Sequence, residues 1–209
     1  HEDIPPAAPV RQAGIAAARN SYEPFQLALR SPVAGEVQVQ ATALTGPGGV
    51  MLDAPSIAKV AYVPVDFPVG YDSTTVPAYY RMLPQQRGND GWRGEWPDAL
   101  ERLTEGAFSI EADATQALFF DVFVPPDAAP GAYQGTVTLD MPGRQFQIPV
   151  SVTVWNFTSP DEKHLPAMLD LRNGPGWNIF GDGAQHDEKV RMWHRFLARY
   201  NVSPSMVEP

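Results

Sequence analysis

The side chains of this sequence that could do chemistry fall into four groups. Two are adjacent carboxylate pairs, Asp161-Glu162 and Asp187-Glu188. The third is Asp170 with Arg172, an acid and a base at the end of a short apolar run. The fourth is an aromatic stretch, Tyr71, Tyr79, Tyr80, Trp92 and Trp96, interleaved with Arg81, Arg87 and Arg93. Aromatic faces stack on the C–H faces of sugars while neighbouring polar groups hold hydroxyls. The same composition suits docking on a neighbouring domain, where Trp, Tyr and Arg are enriched. Docking is preferred here. The carboxylate pairs also have simpler readings. Asp161-Glu162 follows Ser159-Pro160 in what reads as a linker, where adjacent carboxylates are solvated. Asp187-Glu188 falls in the first turn of a helix, where the dipole favours negative charge.

Other chemistries are missing. His1, His164, His186 and His194 show no metal spacing, and His186 and His194 are too far apart along a helix to chelate as an i, i+4 pair. Asp72, Asp90, Asp98 and Asp182 lie in loops, but no run matches a dedicated calcium loop. No metal or cofactor is therefore expected. No nucleophile elbow, phosphate loop or dinucleotide fingerprint is present. The chain has 0 cysteines, which excludes disulfides, thiolate metal sites and thiol catalysis. Lys and Arg number 15 against 24 Asp and Glu, a net charge of −9. Such an acidic chain is a poor partner for a phosphate backbone or an anionic membrane surface. No apolar run is long enough to span a bilayer.

The elements that must position these groups are mostly strands. Phe25, Leu27 and Leu29 alternate with Gln26, Ala28 and Arg30, and Val37 and Val39 alternate with Gln38 and Gln40. The longest alternation is Phe146, Ile148, Val150, Val152 and Val154. Period 2 puts one face on a core and the other in water, as antiparallel sheets do. Ala117–Val124 is apolar on both faces apart from Asp121, which predicts a central strand covered on both sides. Lys59–Phe67, Phe108–Ala112 and Tyr133–Leu139 bring the set to about eight strands. The 22 prolines and 17 glycines punctuate them. Pro130-Gly131 suits a tight turn with positive φ at glycine, and Gly46-Pro47-Gly48-Gly49 breaks the chain between two strand-like runs. Residues 68–105 read as a long irregular insert carrying most of the aromatic group, and such inserts are functional or docked.

The pattern changes near Ser159-Pro160-Asp161. A short apolar strand over Leu165–Leu171 is followed by a glycine-rich loop and a helix from about Asp187 to Tyr200. Val190, Trp193, Phe196, Leu197 and Tyr200 form its apolar stripe. Asn201 and Pro204 end it. A single strand–helix unit cannot make a parallel sheet, so the tail reads as the opening of a second domain.

Several segments together resemble one family. Ala18-Arg19-Asn20-Ser21-Tyr22-Glu23-Pro24-Phe25-Gln26 is similar to its opening strand. Tyr62-Val63-Pro64-Val65 and Glu95-Trp96-Pro97-Asp98-Ala99-Leu100 resemble two of its inner elements. Val124–Gly135, with Pro125-Pro126-Asp127 and Pro130-Gly131-Ala132-Tyr133, resembles a hairpin. Val154-Trp155-Asn156-Phe157 before Pro160 resembles its exit strand. The family is the group around glycoside hydrolase family 123. Ser21 departs from its usual Glu.

The resemblance implies a mainly β fold. Residues 1–158 would form an antiparallel β-sandwich accessory domain of about eight strands. Residues 159–209 would be a linker plus the first strand and helix of a (β/α)₈ barrel. The family uses an adjacent Asp-Glu pair with the substrate's own acetamido group, but that pair belongs at the C-terminal end of a barrel strand. Asp161-Glu162 precedes the first one, so no catalytic residue is assigned to this chain. Asp170 and Arg172 lie where barrels place substrate contacts; the alternative is a salt bridge at the barrel mouth. The expected role is a non-catalytic part of a protein that cleaves glycosidic bonds, N-acetylhexosaminides among them. Its expected partner is the catalytic barrel, and its expected setting is secreted or periplasmic in a bacterium. The alternative is a carbohydrate-binding module acting through Tyr79, Tyr80, Trp92 and Trp96 on a glycan.

Overall fold

The computed structural model describes residues 12–65, 94–161, 168–170, 186–200 and 202–205. Eleven strands build a sandwich-like pair of sheets. They are β1 (Ala13–Arg19), β2 (Ser21–Arg30), β3 (Gly35–Ala41), β4 (Leu44–Thr45), β5 (Met51–Leu52), β6 (Ser56–Val65), β7 (Gly94–Arg102), β8 (Ala107–Ile110), β9 (Thr115–Val124), β10 (Gly131–Met141) and β11 (Arg144–Thr158). The larger sheet runs β1-β11-β10-β3-β8, with β4 on β10 and β5 on β4. The smaller runs β2-β9-β6-β7.

The alternation read from the sequence places the core. On β11, Ile148, Val150, Val152 and Val154 are buried. On β9, Leu118, Phe120, Val122 and Val124 are buried from the other side, and Leu27, Leu29, Val37, Val39, Tyr133, Val137 and Leu139 join them in one cluster between the sheets. Phe25 stacks on Phe120 with centroids 4.7 Å apart and planes 3° from parallel. The buried Tyr133 ring keeps its polar end satisfied by donating from its hydroxyl to the Ala129 carbonyl at 2.9 Å. Pro47–Gly49 forms a single 3₁₀ turn between β4 and β5, as the glycine run implies. Pro130-Gly131 does not form the middle of a tight turn: Gly131, at φ 137°, is the first residue of β10, and the turn falls earlier, where the Ala128 N–H donates to the Pro125 carbonyl at 3.1 Å.

Four further expectations need correction. The sandwich is not purely antiparallel, because β1 pairs parallel with β11, from Ala13 opposite Val150 to Ala17 opposite Val154. Among the described residues the two sheets hold eleven strands where about eight were expected. The segment 68–105 is not irregular throughout, since Gly94–Arg102 is a strand running antiparallel to β6 with Trp96 opposite Val63; residues 68–93 lie outside the described residues. The tail, finally, is more than one strand and one helix. β12 (Met168–Asp170) precedes α1 (His186–Arg199), and β13 (Ser203–Ser205) follows it. β12 and β13 pair in parallel, Met168 with Ser203 and Asp170 with Ser205, so this is a complete βαβ unit. Pro204, expected only to stop the helix, sits in the second of these strands.

The passage from β1 to β2 links the two sheets. Asn20 joins them in the left-handed region, at φ 59°, which asparagine tolerates better than most residues. Its N–H donates to the Val124 carbonyl at 2.7 Å, so the end of β9 fixes the switch point. None of the described helices is long and apolar enough to cross a membrane.

Candidate functional site

Polar groups and aromatic rings converge where α1 meets the outer face of the smaller sheet. The pleat of β9 sends Leu118, Phe120, Val122 and Val124 inward and leaves Phe119, Asp121 and Phe123 on the opposite face. On β2, Tyr22 pairs directly with Phe123, and Pro24 with Asp121. Tyr22 and Phe123 lie 4.7 Å apart, centroid to centroid. Against this face α1 brings its last turn. Tyr200 approaches Tyr22 at 5.3 Å, the Arg199 guanidinium carbon sits 5.1 Å from the centre of the Tyr22 ring, and Arg199 Nε–H donates to the Tyr22 hydroxyl. Trp193, Phe196 and Tyr200 continue the row of rings along the helix, with centroid spacings of 5.7 and 5.2 Å.

The expected apolar stripe of α1 thus divides in two. Leu197 is buried with Val190, Trp193 and Val202 packed around it. Phe196 and Tyr200 stay about half exposed, and the row of rings runs through them to the sheet. Arg199 at the C-terminal end and Asp187 and Glu188 in the first turn both complement the helix dipole.

The electrostatics centre on Asp121. Burial pushes its carboxyl above the usual carboxylate range, while the Arg199 guanidinium and a hydrogen bond donated by Tyr200 pull it back. Burial also raises the Tyr200 phenol, and Asp121 adds to the effect. The hydrogen bond to Tyr22 holds the Arg199 guanidinium still more firmly protonated. Pro24 and Ser56, the cross-strand neighbours of Asp121, carry no charge. This arrangement joins two bodies. Its contacts run between side chains of the sheet and of the helix end.

A pH dependence follows. The docked Asp121 carboxyl holds its proton more tightly than an exposed one. Its contribution to docking is therefore fullest below about pH 3.9, the ordinary aspartate value, and is lost as pH rises through the raised value. Asp121→Asn removes the charge and keeps an oxygen for the Tyr200 hydroxyl. We expect the variant to hold α1 at least as firmly at neutral pH and to lose this part of the pH response. Amide exchange of residues 186–199, corrected for its intrinsic pH dependence, measures it. A pH response identical in the two proteins would remove Asp121 from the account.

The residues singled out from the sequence are scattered. Asp170 ends β12, opposite Ser205 of β13. Arg172, Tyr79, Tyr80 and Trp92 lie outside the described residues. Trp96 stands on β7, partly exposed. Asp161 is exposed and accepts a hydrogen bond from Asn20 Nδ2 at 2.7 Å, a structural partner for half of the adjacent acidic pair. Among the described residues, no group of three or more histidines and carboxylates is arranged to hold a metal ion. The joint of Tyr22, Asp121, Arg199 and Tyr200 was missed as a unit. Its one sequence signal was Asp121, the single charge inside ALFFDVFV.

No family model matches the sequence, and neither does any curated protein. Solved structures do. A pilin subunit from enterotoxigenic Escherichia coli superposes over 71% of this chain and 92% of its own at 11% identity, with a TM-score of 0.36, too distant to carry meaning. A family 123 glycoside hydrolase from Clostridium perfringens, studied for glycolipid glycan hydrolysis, superposes with a TM-score of 0.66 at 12% identity. The match covers 92% of this chain and 32% of that one, so this chain spans about a third of the hydrolase, and what the two share is a fold.

Proposed function

We propose that this chain is the non-catalytic N-terminal part of a glycoside-hydrolase-like protein. The sandwich braces the first βαβ unit of a (β/α)₈ barrel, and the carboxylates that cleave the glycosidic bond lie outside this chain. The observation that carries the reading is the parallel pair β12-β13. Among the described residues this pair has no further strand on either edge, and a two-stranded parallel sheet is not a stable end point, because parallel strands need neighbours and covering helices. The likeness to one third of a family 123 glycoside hydrolase supports the same reading. In it, Asp170 and Arg172 sit at the barrel mouth and contact substrate only once the barrel is complete. N-acetylhexosaminides are the proposed substrate class, and a secreted or periplasmic setting is proposed with them.

The test is an assay of the 209-residue chain on aryl N-acetylhexosaminides. We expect no turnover, and measurable hydrolysis would overturn the assignment of the chemistry to residues outside it. A second reading, a carbohydrate-binding module, is favoured by the partly exposed Trp96 on the edge strand β7. Glycan binding by the chain that disappears in Trp96→Ala would select this reading instead.

A further inference from the structure

Two residues at the sheet switch, Asn20 and Tyr22, contact the segment that leads into the βαβ unit and the end of its helix. Asn20 Nδ2 donates to the Ser159 carbonyl at 3.0 Å and to Asp161 Oδ1 at 2.7 Å. The Ser159 N–H donates in turn to the Arg19 carbonyl at 2.8 Å. These bonds hold the chain as it leaves β11, ahead of β12. Two residues further on, Tyr22 receives Arg199 and Tyr200 from the end of α1. The entry and the helix end of the unit, remote from each other in sequence, thus return to neighbouring points on one rigid backbone. That backbone is itself pinned, by Asn20 N–H to Val124 and by the ten-residue ladder of β2 on β9.

We propose that Asn20 and Tyr22 form a two-point clamp that sets the orientation of the βαβ unit on the sandwich. One attachment leaves a tethered body free to swing in every direction, whereas two at separate points leave it only rotation about the line between them. The chemistry of the two points differs. Asn20 offers directional amide hydrogen bonds, which fix the path of the tether. Tyr22 offers a ring face and a hydroxyl to a cation and a second ring, contacts that tolerate small sliding of the helix. The left-handed backbone at Asn20 belongs to the device, since it turns the side chain toward Ser159 while β1 and β2 stay in separate sheets. This inference does not depend on the reaction proposed above.

The experiment is hydrogen exchange on the full chain, comparing residues 186–199 with β9 and β10 as internal reference. Asn20→Gly keeps the left-handed backbone comfortable and deletes only the side-chain bonds. Tyr22→Ala deletes the second point. We expect exchange in α1 to rise about fivefold in the first and about tenfold in the second, sizes suited to polar bonds and to a ring-and-cation contact. The double variant should reach at least the product of the two. Exchange in β9 and β10 should stay unchanged. Arg199→Gln approaches the same contact from the helix and leaves the sandwich untouched, which guards against a Tyr22→Ala protein that folds poorly. It should raise α1 exchange severalfold. Unchanged α1 exchange in Arg199→Gln and in the double variant would overturn the clamp.

Discussion

Phe120→Ala is expected to destabilise the chain by about 3–5 kcal/mol, the cost of removing a fully buried aromatic side chain from a packed core. Phe120 is 0% exposed, lies on the central strand of the smaller sheet and stacks on Phe25 across the β2–β9 ladder. Truncation leaves a cavity between the sheets, and β9 itself, held by ladders to β2 on one side and β6 on the other, cannot collapse into it. For a chain of this size, the loss corresponds to a fall in Tm on the order of 10 °C. Phe119 supplies the control. It is next in sequence but points to the opposite face and is only partly buried, so Phe119→Ala should cost distinctly less. Equal losses from the two substitutions, read by thermal or denaturant unfolding, would contradict the assignment of faces on β9.

Gly106→Ala is expected to cost roughly 2–5 kcal/mol, although it adds a single carbon. Gly106 has φ +70°, where an alanine is strained by about 1–2 kcal/mol. A Cβ there would lie 2.4 Å from the Val39 carbonyl oxygen. The obstacle is backbone, and that backbone is anchored, because the Val39 N–H donates to the Gly106 carbonyl at 2.7 Å and the Val39 side chain is in the core. Relief of the clash must lengthen or break this hydrogen bond, adding about 1–3 kcal/mol. Urea unfolding would read the difference as a lower midpoint with an unchanged slope. A midpoint within error of the parent's would show that the turn before β8 has slack that its geometry does not display.

What the sequence made legible depended on how far each element relied on its own side chains. Phe146 to Val154 alternate strictly, and β11 lies where that alternation puts it. Ala117–Val124 is central to its sheet, as a run apolar on both faces requires, and the exception, Asp121, marks the joint with α1. By contrast, Ala13–Arg19 is rich in alanine, a weak strand former, and becomes a strand through its parallel ladder to a partner almost the whole sandwich away. Gly94–Arg102 reads as irregular because Glu95, Asp98 and Glu101 break any alternation. It is an edge strand exposed along its length, held by β6 and by the Lys59–Glu101 ion pair at 2.7 Å. The charges and Pro97 that hid it suit an edge that must not recruit other strands. The candidate site was legible only in pieces. Tyr22 and Arg199 meet across nearly the full length of the chain, and no local period reports such a contact.

The pairing of β1 with β11 also bears on how the molecule is born. During vectorial synthesis β1 emerges long before β11, its ladder partner among the described residues, and at roughly 5–20 residues per second that interval is on the order of ten seconds. Through that interval the amide row that β1 will give to β11 is unpaired, and the strand is open to capture by other chains or by ribosome-associated chaperones. The strand that closes the larger sheet is also the one that leads into the βαβ unit, so that unit acquires its completed platform as it begins to leave the ribosome.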